Sequence, residues 1–215
     1  MDEYIYTTRK NINIINLQKT AEKLQAAEKF LTEIVKSGKP ILFVGMKKQT
    51  HETVRSLAVR LGEYFVIDRW LGGTLTNFGM IRGRARHLTD SEAKLAQGEF
   101  KKYTKFEQGK KMEEITRLEK KVGGIKNMEA LPGVIVVADV KEAGLVLNEA
   151  RKMRVPIIGI VDTNTDPAFV DYPIPGNDDA LSSLRLIFGA LGKAVLSGKE
   201  AAKLAKEKVP TPETK

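Results

Sequence analysis

Seven residues, Pro156-Ile-Ile-Gly-Ile-Val-Asp162, leave this chain few folds to choose from. An almost unbroken apolar run of that length predicts a strand buried on both faces, and such strands lie in parallel sheets covered by helices. Asn, Thr, Asp and Pro follow, which bond their own backbone or fix φ, so a loop is expected at the strand's carboxyl end. Ile174-Pro-Gly-Asn-Asp-Asp179 then supplies a short extended piece, a turn and an acidic helix start, with carboxylates at the end of the helix whose dipole favours them. In open α/β sheets ligands dock at that carboxyl edge.

Pro40-Ile-Leu-Phe-Val-Gly45 and Val134-Ile-Val-Val-Ala138 repeat the pattern, and Tyr64 to Ile67 adds a shorter strand. Helical spacing fills the intervals. One helix is expected from a cap near Asn16 to about Ser37, burying Leu17, Ala21, Leu24, Ala27, Leu31 and Ile34 or Val35, with Gly38 ending it. Val54, Leu57, Ala58 and Leu61 mark a second; Ala143, Leu147 and Ala150 a third; the last runs from about Asp179 to Leu196. Strands alternating with helices predict an α/β protein, a three-layer α/β/α parallel sheet.

Residues 78–126 break the alternation. Thirteen basic residues face seven acidic ones there, and two helical patterns flank Gly98, the second carrying Met112, Ile115, Leu118 and Val122. A narrow apolar stripe on a charged helix suits an antiparallel pair. The expected division is a discontinuous sheet domain (1–77 and 127–198), an inserted basic helical hairpin (78–126) and a flexible C-terminal tail (199–215), partly helical before it frays at Pro210 and Pro212.

The formal charge of +9 points to a polyanionic partner, nucleic acid or an anionic membrane surface. The hairpin's stripe is too narrow, and too poor in tryptophan, for a membrane-surface helix, so no membrane partner is expected. With no signal-peptide core and no long apolar run, a soluble, unexported protein is expected. The absence of cysteine removes disulfide and thiolate chemistry.

Phosphate-loop and dinucleotide glycine spacings are both missing, and His51 and His87 lack neighbours of catalytic or metal-binding type. The best enzyme lead is acidic: Asp162, Asp166, Asp171, Asp178 and Asp179 at a sheet edge could hold Mg²⁺ for phosphate chemistry. Against it, Asp166 precedes a proline turn, while Asp178 and Asp179 suit a helix cap, leaving at most a partner or weak ion contact.

The basic signals are stronger. Arg69 offers a planar fork for phosphate, Trp70 a stacking face or else a core anchor, and Gly72-Gly73 a close backbone approach, in a loop that runs to Asn77. Arg82, Arg84 and Arg86 follow, with 82 and 86 on one helix face, an arrangement suited to a phosphate backbone or the shallow groove of A-form RNA. Arg9-Lys10 and Lys47-Lys48 complete the candidate RNA-binding set.

Phe43-Val-Gly-x-Lys47, Arg69-Trp-Leu-Gly-Gly-x-Leu-Thr-Asn77, Gly123-Gly-Ile-Lys126, Leu131-Pro132, Ile160-Val-Asp-Thr-Asn164 with Asp166-Pro167, and Ile174-Pro-Gly-Asn-Asp-Asp-Ala180 stand in one order. Together they closely resemble the bacterial-type small-subunit ribosomal protein family called S-two, over about Tyr4 to Leu196. The resemblance implies a flavodoxin-like (Rossmann-like) α/β/α domain with an inserted hairpin. It also implies a cytoplasmic, ribosome-associated structural protein with no enzymatic activity, cofactor or metal, bound to 16S rRNA and helping to dock other small-subunit proteins. Those include the large mRNA-binding protein called S-one. On matching positions it implies rRNA contact by Arg69, Trp70, Thr74 and Asn77, and phosphate contact by Lys47 and the hairpin arginines. Family members usually open with some two dozen further residues, including a Trp-Asn-Pro-Lys-Met run; Met1 falls where that methionine stands.

Overall fold

The computed structural model describes residues 1–207. Its centre is a five-stranded, wholly parallel sheet in the order β4-β3-β5-β6-β7, formed by β3 (Ile41–Val44), β4 (Tyr64–Val66), β5 (Val134–Val137), β6 (Ile157–Val161) and β7 (Tyr172–Pro175). Numbered within the sheet this is 2-1-3-4-5, the flavodoxin-like order, whose topological switch point lies between β3 and β5. Every residue of β3, β5 and β6 is buried, as expected for strands covered on both faces.

The twofold periodicity of a strand sorts these residues into two cores. Ile41, Phe43, Val134, Val136, Ile158, Ile160 and Ile174 face the layer made by α1 (Leu17–Lys36), α2 (Lys48–Leu61) and α6 (Leu181–Glu207). Leu42, Val44, Ile135, Val137, Ile157 and Val161 face α5 (Gly144–Met153), Trp70, Leu75 and the helical pair. That pair, α3 (Phe78–Ala96) and α4 (Lys105–Val122), buries Ile81, Leu88, Ile115 and Val122 continuously with the sheet's own core. Met112, expected in the stripe, is largely exposed.

The root of the hairpin is held by close backbone approach. A Cβ on Gly124 would lie 2.1 Å from the carbonyl oxygen of Phe65 in β4. Gly124→Ala is therefore expected to push the hairpin off the sheet edge and cost about 1–3 kcal/mol, read as a lowered thermal midpoint. A midpoint equal to the parent's would show that the contact does not hold the root.

Asn16 caps α1 as expected, accepting from the backbone N–H groups of Gln18 and Lys19 at 3.0 and 3.3 Å. The buried stripe begins a turn later than expected. Leu17 is 77% exposed and Ala21 is also exposed; Leu24 is the first apolar residue of α1 that packs on the core. Ahead of that cap, residues 12–15 form β2 (Ile12–Ile15), antiparallel to β1 (Ile5–Arg9). Lys10 and Asn11 turn this ribbon with φ of 48° and 61°, the paired left-handed conformation of a tight hairpin. The last helix continues past Leu196 to Glu207, through the partly helical start of the expected tail; residues 208–215 lie outside the described part. Leu181–Leu204 is long and apolar enough to cross a membrane, but its Leu184, Ile187, Phe188, Leu191 and Val195 are buried against the sheet.

Candidate nucleic-acid interface

The carboxyl edge of the sheet, where a ligand would be sought first, is filled by the protein's own charges. Lys47 leaves β3 and Asp139 leaves β5, so they meet at the switch point, 3.0 Å apart from Nζ to Oδ2. The same ammonium bonds Asp178 at 2.9 Å and Asp179 at 3.0 Å. Asp139 accepts the backbone N–H groups of Lys141 and Glu142 through Oδ1, while its buried Oδ2 has the Lys47 charge beside it without hydrogen-bond alignment. Burial by itself would lower the pKa of Lys47; the bonds to Asp178 and Asp179 and the neighbouring Asp139 charge outweigh it and raise it above the ordinary lysine value. Asp178 is pushed up to about 6, by burial first and by the Asp139 charge, against the opposing pull of Lys47.

This corrects two expectations. Lys47 is not a free phosphate contact, because three carboxylates surround it. Asp178 and Asp179 do not cap the last helix: Asn177 Oδ1 accepts the N–H groups of Asp179 and Ala180, which frees Asp178 to turn inward. Asp166 behaves as the proline turn required, accepting from Ala168 N at 2.9 Å, and Asp171 accepts from Ile157 N. Asp162, Asp178 and Asp179 each bring a carboxylate oxygen within 4.8 Å of the others, a minimal donor set for a divalent cation. Lys47 already balances two of the three, and the Mg²⁺-dependent enzyme alternative finds no support here.

On the face of the sheet packed by α5, a second carboxylate organises the loop after β4. Glu149 in α5 is 8% exposed and accepts from Trp70 Nε1 at 3.0 Å, Gly73 N at 2.8 Å, Leu75 N at 2.9 Å, Thr76 N at 3.1 Å and Thr76 Oγ1 at 3.2 Å. Gly73 takes φ of 89°, a conformation that glycine adopts without strain, and so turns its N–H toward this carboxylate. Burial alone would raise the pKa of Glu149; the donors from Leu75, Trp70, Thr76 and Gly73 hold it below the usual carboxylate range.

Trp70 is thereby a core anchor, 3% exposed, and offers no stacking face. Thr74 is 2% exposed, with its hydroxyl donating to Leu71 O, so it too is withdrawn from any partner. Between and after them, Arg69 and Asn77 point outward from the loop that Glu149 shapes. On α3 the buried residues Ile81, Ala85 and Leu88 leave Arg84 and Arg86 exposed, with Arg82 half-buried and its guanidinium 6.0 Å from the Phe78 ring. Among the described residues none of these four arginines lies within ion-pair distance of a carboxylate. Lys48 is exposed at the start of α2, and Arg9 and Lys10 are exposed at the turn of the β1–β2 ribbon, apart from the arginines in sequence and in sheet.

Glu149 and Asp139 were not singled out from sequence. Glu149 shares a helical face with Val146 and Ala150, and a carboxylate in an apolar stripe was a readable signal for a buried acceptor.

The family model described as "Ribosomal protein S2" matches residues 1–198. Similar curated proteins include the small ribosomal subunit protein uS2 of Roseiflexus castenholzii, 48% identical over 199 residues that cover 93% of this chain and 76% of the relative. The uS2 of Roseiflexus sp. strain RS-1 is 47% identical over 198 residues, 92% of this chain and 76% of the relative. That of Chloroflexus aurantiacus is 43% identical over 207 residues, 96% of this chain and 87% of the relative.

Proposed function

The chain belongs to the ribosomal protein S2 family, and on that premise we propose that it is a structural, non-catalytic constituent of the small ribosomal subunit in the cytoplasm. The match over residues 1–198 is the observation that carries this reading. In it, the sheet domain is a platform and the hairpin of residues 78–126 is an arm laid on 16S rRNA. Arginines without a carboxylate partner among the described residues support RNA as the anchor: exposed Arg69 beside Asn77, exposed Arg84 and Arg86 on α3, and half-buried Arg82 near them. Such contacts act by neutralising phosphates and fixing register, without a reaction. Lys48, Arg9 and Lys10 supply further phosphate contacts. The outward carboxylates Asp166 and Asp179, with Asp162 beside them, are the surface for a cationic partner or weakly held ion, including neighbouring small-subunit proteins such as the large mRNA-binding one.

Sedimentation of a cell lysate on sucrose gradients at low and high salt tests this. Co-migration with the small subunit, partly stripped by high salt, is expected; a free protein at every salt concentration would overturn the reading. For the isolated protein on 16S rRNA, the pair Arg82→Ala and Arg86→Ala is expected to flatten the plot of log affinity against log salt by about 1.5–2 units of slope. An unchanged slope would remove these arginines from the interface.

A further inference from the structure

We propose that the tip of the helical hairpin is a separate RNA contact that receives an unpaired nucleotide, its base on the ring of Phe106 and its flanking phosphates on Lys102, Lys105 and Lys110. The inference rests on the rRNA reading above and adds a site that lies about 20 Å along α3 from Arg82.

Phe106 is 71% exposed and belongs to neither core cluster. Its partner is an ammonium: Lys110 Nζ stands 4.5 Å from the ring centroid. The other tip aromatics differ. Phe100 packs against the hairpin core, and Tyr103 meets it edge-on at 6.2 Å, with Lys111 Nζ 5.4 Å from the first ring and 4.6 Å from the second. Those two rings are structural; Phe106 has no such duty.

The exposed ring is also presented on a fixed backbone. Thr104 caps α4 in a reciprocal box, Glu107 N donating to Thr104 Oγ1 at 3.4 Å and Thr104 N donating to Glu107 Oε2 at 2.9 Å. Phe106 sits inside that box, so stacking on it costs little backbone ordering. The cap also occupies Glu107, one of only two acidic residues between Glu99 and Lys111, where five lysines stand. A protein groove receiving a bare phenyl ring favours an apolar surround. A ring with one ammonium on its face, in a stretch rich in lysine, instead matches a nucleotide, which carries a π face and a charged backbone together. On binding, Lys110 exchanges the ring face for a phosphate.

Filter binding to a protein-free 16S rRNA transcript across a salt series provides the test, with Phe106→Ala, Phe106→Leu, Phe106→Trp and Lys110→Ala beside the parent. Phe106→Ala is expected to weaken binding about tenfold while leaving the salt slope unchanged, because no charge is lost. Phe106→Leu fails to restore affinity; Phe106→Trp restores it, with its emission quenched by RNA. Lys110→Ala lowers the slope by about one unit. Parental affinity of Phe106→Ala, while the Arg82 and Arg86 pair weakens binding, would overturn the tip site and leave the function standing. No RNA binding by the parent would sink the function reading itself. Loss of Phe106→Ala from assembled subunits without loss on naked RNA would assign the tip to a protein and also overturn the proposal.

Discussion

Glu149→Ala is expected to cost about 3–5 kcal/mol of folding stability, a large loss for one side chain. The carboxylate satisfies the indole N–H of Trp70 and three backbone N–H groups within a region almost closed to water. Removing it strands those donors, and each buried unpaired donor carries a desolvation cost. Glu149→Gln keeps the shape but replaces one acceptor with an NH₂ group facing donors, so it is expected to lose more than half as much. Urea unfolding followed by fluorescence is well placed to measure this, since the only tryptophan of the chain is Trp70 itself. A depressed carboxyl pKa contributes stability that is complete above the ordinary carboxylate range and is lost as pH falls through the lowered value. The parent should therefore lose stability in strong acid more steeply than Glu149→Ala. A loss below about 1 kcal/mol, or identical acid limbs, would show that water replaces the carboxylate and that the loop holds its shape without it.

Lys47→Met is the second large effect, expected at about 3–5 kcal/mol near pH 7.5 and clearly less at pH 5. The substitution leaves Asp139 and Asp178 facing each other without a cation, both nearly closed to solvent. Asp178 already has its pKa raised to about 6 in the parent. A raised carboxyl pKa favours the fold below the ordinary Asp value and loses that contribution as pH rises through about 6. At pH 5 the variant can protonate Asp178 and share that proton with Asp139, so the repulsion is relieved. Lys47, whose pKa is also raised, stabilises the parent throughout this range and ceases to do so only in strong alkali. Unfolding at the two pH values measures the difference; an equal penalty at both would mean that the aspartates are not the source of the loss.

These two residues also explain why the candidate interface was only half legible. Local chemistry exposes Arg69, Arg84 and Arg86 as outward cations, because a guanidinium that no buried carboxylate holds stays in water. The same reasoning placed Lys47 at the surface wrongly and left Trp70 undecided between a stacking face and a core anchor. Their partners lie 131 and 79 residues away in the chain, on α6's approach and on α5. No local window contains both members of either pair.

By itself the sequence determined the secondary structure of the sheet and the existence of the hairpin. Apolar runs at 41–44, 134–137 and 157–161 can be satisfied only as strands covered on both faces, and two charged helices with narrow stripes find in each other the partner that covers them. The tertiary structure alone decided which polar groups remain available to a partner. Closing the sheet in the order 2-1-3-4-5 brings the ends of β3 and β5 together, and burial there is tolerable only if Lys47 and Asp139 neutralise each other. Packing α5 beneath the β4 loop puts Glu149 within reach of Trp70, which turns a recognisable surface motif into a scaffold and leaves Arg69 and Asn77 as its exposed edge.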